Sequence, residues 1–219
     1  MEIKNLSQDN SIINQYMVEI RDAEYQKNRL LFRNNIMRIG ECEAYEISKT
    51  LQYKKKEVVT PLGTSIINVP ANRIVLGTIF RAGLPFHTGF LNIFDHVENG
   101  FVSAYREYTD KAHHSVGVHV EYLATPSIQD KTLVIADPML ATGGSMELSY
   151  KAFLTKGTPA CIHIACIIAT PQGIDQIRSV FPSDKTTVWC AAIDPGMNEH
   201  KYIVPGFGDA GDLCYGEKI

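Results

Sequence analysis

The chain has 219 residues, of which 45% are hydrophobic and 21% charged, and its formal net charge is −3 at pH 7. This composition is typical of a water-soluble globular protein, and the negative charge argues against a broad nucleic-acid-binding surface. No apolar run approaches the roughly 18 residues of a membrane span, and the polar first ten residues are unlike a signal peptide. With five cysteines and no C-x-x-C pair, we expect reduced thiols, a cytoplasmic location and no membrane partner.

The first 70 residues predict helices followed by a β-hairpin arm. Apolar residues recur at three- and four-residue spacing from Ser11 to about Leu51, with Gly40 as the expected break in the helix. The next stretch, Tyr53 to Pro70, predicts a hairpin that turns at 61–63 and carries three lysines, 54–56, on a solvated edge.

From residue 71 onward, predicted strands alternate with predicted helices. The strands are expected at 73–80, 101–106, 133–136, 161–169 and 187–192, and a polar loop with the segment 116–123 follows the second of them. Apolar strands that alternate with helices indicate an α/β fold with a mainly parallel, doubly wound sheet. We therefore expect one domain over residues 1–219, with a helical and hairpin part at 1–70 and a sheet core at 71–219.

The segment 133–145, LVIADPMLATGGS, is the most informative one. A short buried strand leads to Asp137, then to a small-residue loop, and then to a helix that we expect to end at Gly157. Glycine N–H groups, the hydroxyls of Thr142 and Ser145 and the positive end of a helix dipole together suit a phosphate. Asp137 would repel a phosphate but can accept hydrogen bonds from a sugar diol, so the segment predicts a ribose 5-phosphate site.

Several other interpretations of these motifs are weaker. No lysine follows Gly144, which excludes a Walker A loop, and the G-x-G-x-x-G match at 206–211 lies too near the C-terminus for a dinucleotide fold. Ser145 lacks a G-x-S-x-G elbow, and the histidines at 113, 114 and 119 lack ordered metal-ligand spacing. A plain strand-to-helix turn at the loop remains as an alternative.

Charged residues follow the other predicted strands as well. Arg81 comes after the first strand of the core, Arg106 closes the second, and Asp194 follows the last. In parallel sheets the ligand lies at the carboxyl ends of the strands. Two arginines near one phosphate loop suggest a second, more highly charged anion such as pyrophosphate.

Four segments in one order carry a resemblance to a known family: FRAGLP (80–85), YRE-T (105–109), DPMLATGGS (137–145) and IDPGMNEHKYIVPGFGDAGD (193–212). The chain resembles uracil phosphoribosyltransferases from about Val75 to the C-terminus, and the last segment is the most specific. Such enzymes make UMP and pyrophosphate from uracil and 5-phosphoribosyl 1-pyrophosphate, a pyrimidine salvage reaction that uses Mg²⁺. Three departures are Pro85-Phe86, the loop after Arg106, and Lys201, where the family usually has glycine.

The resemblance also implies roles for individual residues. Arg81, Arg106, Asp137 and Asp209 would serve catalysis, and Ile203, Gly208, Asp209 and Ala210 would bind uracil. Those that would bind the phosphoribosyl pyrophosphate are Arg81, Arg106, Asp137, Pro138, Met139, Leu140, Ala141, Thr142, Gly143, Gly144, Ser145 and Asp209. Mg²⁺ would arrive with the substrate and need no dedicated protein ligands.

The partners expected from this resemblance are the two small-molecule substrates, with no nucleic acid. A homodimer or homotetramer is expected, and activation by GTP is left open. The alternative from another functional class is a non-catalytic uracil- or nucleotide-binding regulator on the same fold. A phosphoribosyltransferase for another base is disfavoured by the C-terminal segment.

Overall fold

The computed structural model describes residues 1–108 and 116–217, and for 104–108 and 116–120 it describes the backbone alone. The histidines at 113 and 114 and most of the loop after Arg106 therefore lie outside the described residues. The helices are α1 (Ile13–Arg21), α2 (Arg29–Ser48), α3 (Gly83–Ile93), α4 (Gly144–Leu154), α5 (Pro171–Val180) and α6 (Ala210–Tyr215). The strands are β1 (Glu2–Asn5), β2 (Tyr53–Thr60), β3 (Gly63–Pro70), β4 (Ile74–Ile79), β5 (Glu98–Tyr108), β6 (Val116–Ala124), β7 (Thr132–Ala136), β8 (Met139–Leu140), β9 (Cys161–Ala169), β10 (Thr186–Ile193), β11 (Gly196–Met197) and β12 (Ile203–Val204).

Within the described residues, the main sheet has the strand order β1-β10-β9-β7-β4-β5-β6, and β8 pairs with β9 beside it. Its pairings are parallel except that of β5 with β6, which is antiparallel. Every residue of β4 and β7 is buried, because helices cover both faces of the sheet. Helices α1, α2, α3 and α6 contribute to one apolar cluster, and α4 and α5 to the other. The predicted mainly parallel α/β fold is confirmed.

The N-terminal region differs from the prediction at Gly40. The predicted helical stretch is two helices, α1 and α2, and Gly40 lies inside α2 instead of breaking it. A Cβ on Gly40 would lie 2.6 Å from the backbone oxygen of Phe86. The glycine therefore lets α3 approach α2 closely, which is a tertiary requirement that the local pattern does not reveal. No described helix is long and apolar enough to cross a membrane.

The hairpin arm formed by β2 and β3 is confirmed, with Pro61 and Leu62 at its turn and the three lysines exposed. Strand β1 was not predicted, because four residues of mostly polar character give too short a pattern to recognise. It adds a parallel edge to β10. Helix α4 ends at Leu154, three residues before the predicted end at Gly157.

Two glycines opposite each other in the sheet form a socket for one side chain of α4. Gly77 in β4 pairs with Gly100 in β5. Cβ atoms there would lie 2.6 Å from Cζ and 2.9 Å from Cε1 of Phe153, respectively. Phe153 is fully buried near the end of α4. The absence of these two Cβ atoms therefore sets how deeply the far end of the phosphate-loop helix sits on the sheet.

Candidate active site

The segment between β7 and α4 is the one for which the sequence predicts a phosphate cradle. Gly143 stands immediately before α4 with a left-handed backbone, φ +79°. A Cβ there would lie 2.8 Å from Cβ of Gln176 and 3.1 Å from the backbone oxygen of Gly173. Both the left-handed backbone and the lack of room for a Cβ atom therefore require glycine at this position. Ser145, in the first turn of α4, is exposed, so the positive end of this helix faces solvent as a phosphate site requires.

Asp137 directly follows β7 and belongs to a network that holds the loop. Its backbone N–H donates to Ala165 of the neighbouring strand at 3.1 Å, and its carboxylate accepts from the backbone N–H of Met139 at 3.4 Å. Burial raises the pKa of Asp137 from 3.8 to about 7, and the Met139 N–H offsets this only in part. The residue as a whole is half-buried, at the carboxyl end of β7.

The remaining residues of the predicted loop form the two-residue strand β8 and the turn that leads into α4. Met139 and Leu140 form β8, which pairs with Ile168 and Ala169 and was not recognised as a strand. The hydroxyl of Thr142 accepts a long hydrogen bond, 3.4 Å, from the N–H of Gly144. Pro138 and Leu140 are buried, whereas Ala141 and Thr142 are half-buried. The loop thus presents its backbone from Ala141 to Ser145 at the carboxyl edge of the sheet.

Of the two arginines that are predicted to bind pyrophosphate, the structure describes the side chain of Arg81 alone. The guanidinium of Arg81, between β4 and α3, donates to the Asp212 carboxylate at 2.7 Å and to the Gly216 carbonyl at 3.3 Å. The prediction that Arg106 closes its strand is wrong, since β5 continues to Tyr108 against β6. The antiparallel partner prolongs the strand beyond the predicted turn. The side chain of Arg106 lies outside the described residues.

The predicted uracil segment is a series of short elements linked by tight turns. Ile203 lies in β12, which pairs with β11, and Ala210 is buried at the start of α6. Gly208 has φ +95°, and a Cβ there would meet only Leu213, at 3.7 Å. The Asp209 carboxylate accepts from the N–H of Asp212 at 2.9 Å and so caps α6.

A cavity of about 390 Å³ adjoins this segment. Its lining includes Gly208, Asp209 and Asp212, together with Lys27, which precedes α2, and Arg29, the first residue of α2. The two cations were not singled out in the sequence, because the loop before α2 carries no motif of its own. They bring positive charge beside two carboxylates at the edge of the predicted base site.

Lys201, which replaces the glycine usual in the resembling family, also has a left-handed backbone, with φ +66°. Its N–H donates to the Asn198 carbonyl at 3.0 Å, in the turn between β11 and β12. The position thus calls for a glycine-like conformation, and lysine adopts it at a cost of about 1–2 kcal/mol. The departure leaves the turn in place.

Arg21, a residue that the sequence did not single out, connects α1 to this region. Its guanidinium makes two hydrogen bonds to the Asp194 carboxylate, at 2.7 and 2.9 Å, and a third to the Gly206 carbonyl at 3.1 Å. Arg21 and Asp194 are far apart in the chain, so no local signal could have paired them. Asp194, predicted as a residue at a strand end, therefore holds the C-terminal segment in place.

One of the residues predicted to bind pyrophosphate contacts the segment predicted to bind uracil. The contact between Arg81 and Asp212 joins the turn after β4 to the start of α6. Within the described residues, no group of three or more His, Cys, Asp or Glu side chains is arranged to hold a metal. The carboxylates of Asp137 and Asp209 are oxygen donors of the kind that Mg²⁺ prefers.

Comparison with known proteins agrees with this geometry. The sequence model of the family "Uracil phosphoribosyltransferase" matches residues 7–217. A uracil phosphoribosyltransferase of Porphyromonas gingivalis is 58% identical over 219 residues, all of both chains. One of Methanothermobacter thermautotrophicus is 37% identical over 212 residues, 95% of this chain and 93% of that one.

Solved structures support the same fold. AQ2163 from Aquifex aeolicus is 28% identical, covers 99% of both chains and superposes with a TM-score of 0.84. TT1426 from Thermus thermophilus, 14% identical with a TM-score of 0.51 over 84% of this chain and 90% of that one, shares the fold alone. With a family match along almost its whole length and relatives that align from end to end, the chain belongs to the uracil phosphoribosyltransferase family.

Proposed function

We propose that this enzyme transfers the 5-phosphoribosyl group of 5-phosphoribosyl 1-pyrophosphate to uracil, releasing pyrophosphate and forming UMP. The observation that carries the proposal is the ion pair of Arg81 with Asp212, which joins the family's base-binding segment to the turn after β4. Strand β4 pairs with β7, the strand that leads into the phosphate loop. A mere nucleotide-binding regulator is not favoured, because the curated relatives that match along the whole chain are named as transferases.

On the donor side, the backbone from Ala141 to Ser145 would hold the 5-phosphate, and Asp137 would accept hydrogen bonds from the ribose hydroxyls. The open start of α4 and the glycine-only conformation at Gly143 support the first assignment. Arg81 and Arg106 would bind the pyrophosphate, a role that suits guanidinium forks. Pro138, Met139 and Leu140 would act through the backbone that supports Asp137.

On the base side, uracil presents two carbonyl acceptors on either side of one N–H donor. Backbone groups of Ile203, Gly208 and Ala210 would match this pattern, and Asp209 would lie close enough to reach the donor or its Mg²⁺. The open space at Gly208 supports close approach of a planar base. Because such groups belong to the backbone, they cannot rotate to suit cytosine, which reverses two of the three edge positions.

The residues have little covalent chemistry to perform. Breaking the bond between C1 and pyrophosphate leaves an electron-poor, oxocarbenium-like carbon and a leaving group that gains negative charge. The arginines would neutralise that charge, and the two binding regions would hold the base nitrogen in line with C1. Mg²⁺ that arrives with the substrate would supply further charge neutralisation, and the carboxylates of Asp137 and Asp209 would be the protein's oxygen donors for it.

The test is an assay for UMP formation with uracil and cytosine in parallel, at fixed donor and Mg²⁺. Each mismatched buried group costs about 1–3 kcal/mol, so we expect at least about hundredfold preference for uracil. Comparable rates with both bases would contradict backbone recognition. Tight uracil binding without turnover would instead favour the regulator.

We also propose a homodimer or homotetramer in which the hairpin arm contacts a second copy. The fractional exposures of Leu62, Val59 and Ile66 are 101%, 84% and 67%. A two-stranded hairpin alone is marginally stable, and exposed apolar side chains of this kind mark interaction surfaces. Sedimentation of the wild type and of a Val59→Asp, Ile66→Asp variant should show a loss of assembly in the variant, whereas two monomeric samples would contradict the proposal.

A cytoplasmic location is proposed on the strength of five free cysteines, three of them buried. Activation by GTP stays a prediction, which the same UMP assay checks when run with and without the nucleotide.

A further inference from the structure

We propose that Arg21 and Asp194 form a clamp that positions the base-binding backbone, and that Arg21, on a helix remote from the motifs, thereby sets the affinity for uracil. The inference rests on the proposed function and concerns the segment between Ile203 and Ala210. Neither side chain is proposed to touch a substrate, so both are positioning residues.

The clamp closes on the backbone of Gly206 from two directions. The Gly206 carbonyl accepts from Arg21 at 3.1 Å, and the Gly206 N–H donates to the Asp194 carboxylate at 2.9 Å. Arg21 and Asp194 bind each other through two parallel hydrogen bonds. Both backbone polar groups of one residue are thus held by a single ion pair.

The surroundings show why the clamp determines the shape of this segment. Gly206 has φ +56°, and a Cβ there would lie 2.1 Å from the backbone oxygen of Ile203. The next residue, Phe207, is buried and packs edge-on against Phe32 of α2, with ring centroids 5.8 Å apart. Gly208 lies between Phe207 and Asp209, which caps α6, so the position of its backbone follows from residues that are themselves held.

Burial makes the clamp stronger than an ordinary surface ion pair. The Asp194 side chain is 6% exposed and that of Arg21 24%. Hydrogen bonds between charged groups in a partly buried, forked geometry are the strong ones, and removal of one partner leaves the other charge buried and uncompensated. The loss of either side chain should therefore release Gly206, and with it the alignment of Ile203 and Gly208.

The donor side should not share this dependence. The side-chain hydrogen bonds described for Arg21 and Asp194 run to each other and to Gly206. The phosphate loop is held instead by β9 and by the contact of Gly143 with α5. A clamp that only stabilised the whole fold would affect both substrates alike, whereas a positioning clamp affects uracil.

The experiment measures kcat and KM for each substrate in wild type, Arg21→Gln and Asp194→Asn, well below their melting temperatures. We expect the uracil KM to rise about tenfold or more in both variants, the loss expected for a charge-assisted hydrogen bond, with the donor KM within about twofold of wild type. Arg21→Lys, which keeps the charge but not the fork, should recover part of the affinity and serves if the other variants fail to fold. The matched control is Arg178→Gln, which removes an exposed ion pair with Asp175 on α5 and should change neither KM.

Equal rises in both KM values, or a lower melting temperature with the uracil KM unchanged, would overturn the clamp. Hydrogen exchange at the Gly206 amide gives a second readout, and it should be faster in Arg21→Gln and Asp194→Asn than in wild type. Unchanged exchange would also overturn the proposal. A wild-type protein that makes no UMP would refute the proposed function, while the exchange measurement would still decide the clamp.

Discussion

The phosphate loop and the base segment lie at the same sheet edge but are built in different ways. The loop at 137–145 shows its features in its own sequence: a buried strand before it, one left-handed glycine and a helix start. The base segment at 203–212 owes its shape to partners far away in the chain, among them Arg21 and Phe32. A local motif is therefore sufficient to predict a phosphate site, whereas the shape of the predicted base segment depends on the assembled fold.

The largest expected effect comes from Gly143→Val in the loop. The new side chain would meet Gln176 at 2.8 Å in a backbone conformation that valine disfavours. Because displacement of a binding group by about 1 Å can cost on the order of hundredfold in rate, we expect at least that loss in kcat/KM for the donor. Gly63→Val is the control, since Gly63 also has a positive φ but a Cβ atom added there would have no neighbouring atom within 4 Å. Equal activity of the two variants would remove the loop from the site.

Asp137→Asn tests the ribose assignment on the same side. The loss of charge-assisted hydrogen bonds, about 1.5–3 kcal/mol, should lower kcat/KM by about tenfold to hundredfold. The fold should persist, because a raised pKa means that the native state prefers the neutral carboxyl group. Near-normal kcat/KM with a melting temperature equal to that of wild type would show that the sugar is held elsewhere.

The pKa of Asp137, about 7 in the free protein, also predicts a pH effect. The ionised form accepts hydrogen bonds from the ribose, so kcat/KM for the donor should fall as the pH drops below about 7, approaching tenfold per unit. The Asp137→Asn variant should lack this limb of the profile. A wild-type profile that is level between pH 5 and 8 would contradict the prediction.

Gly208→Val probes the base side and should raise the uracil KM by about tenfold while leaving the donor KM close to wild type. The structure leaves room for the side chain, whose nearest neighbour is Leu213 at 3.7 Å, but the φ of +95° is unfavourable for it. The variant therefore blocks the approach of the base without displacing the core. An unchanged uracil KM would mean that this segment merely caps the sheet.

The smallest effect is expected from Asp212→Asn. This change weakens the ion pair that joins the turn after β4 to the start of α6. Its partner Arg81 is partly exposed, 36% for the side chain, so solvent weakens the ion pair to about 1 kcal/mol or less. We expect both KM values to change by only a few-fold. A large change confined to one substrate would show that Arg81 belongs to that side alone.

Elements with a local sequence pattern could be predicted, whereas those that depend on tertiary contacts could not. Strands β4, β7 and β9 and the phosphate loop could be predicted because their patterns are local and apolar. The two-residue strands β8, β11 and β12 are too short to show a period. The extent of β5 beyond Arg106 depends on pairing with β6, and the clamp of Arg21 on Gly206 depends on tertiary contacts alone.

Gly77 and Gly100, beneath Phe153, affect the position of the phosphate loop from the opposite end of α4. Helix α4 has 11 residues and is about 16 Å long at 1.5 Å per residue. Its N-terminal end lies at the proposed phosphate site, and Phe153 near its C-terminal end packs against Gly77 and Gly100. A single methyl group added to Gly77 would lift that C-terminal end and tilt the N-terminal end. We therefore expect side-chain volume at Gly77 and Gly100, two positions that are not proposed to contact substrate, to change catalytic efficiency.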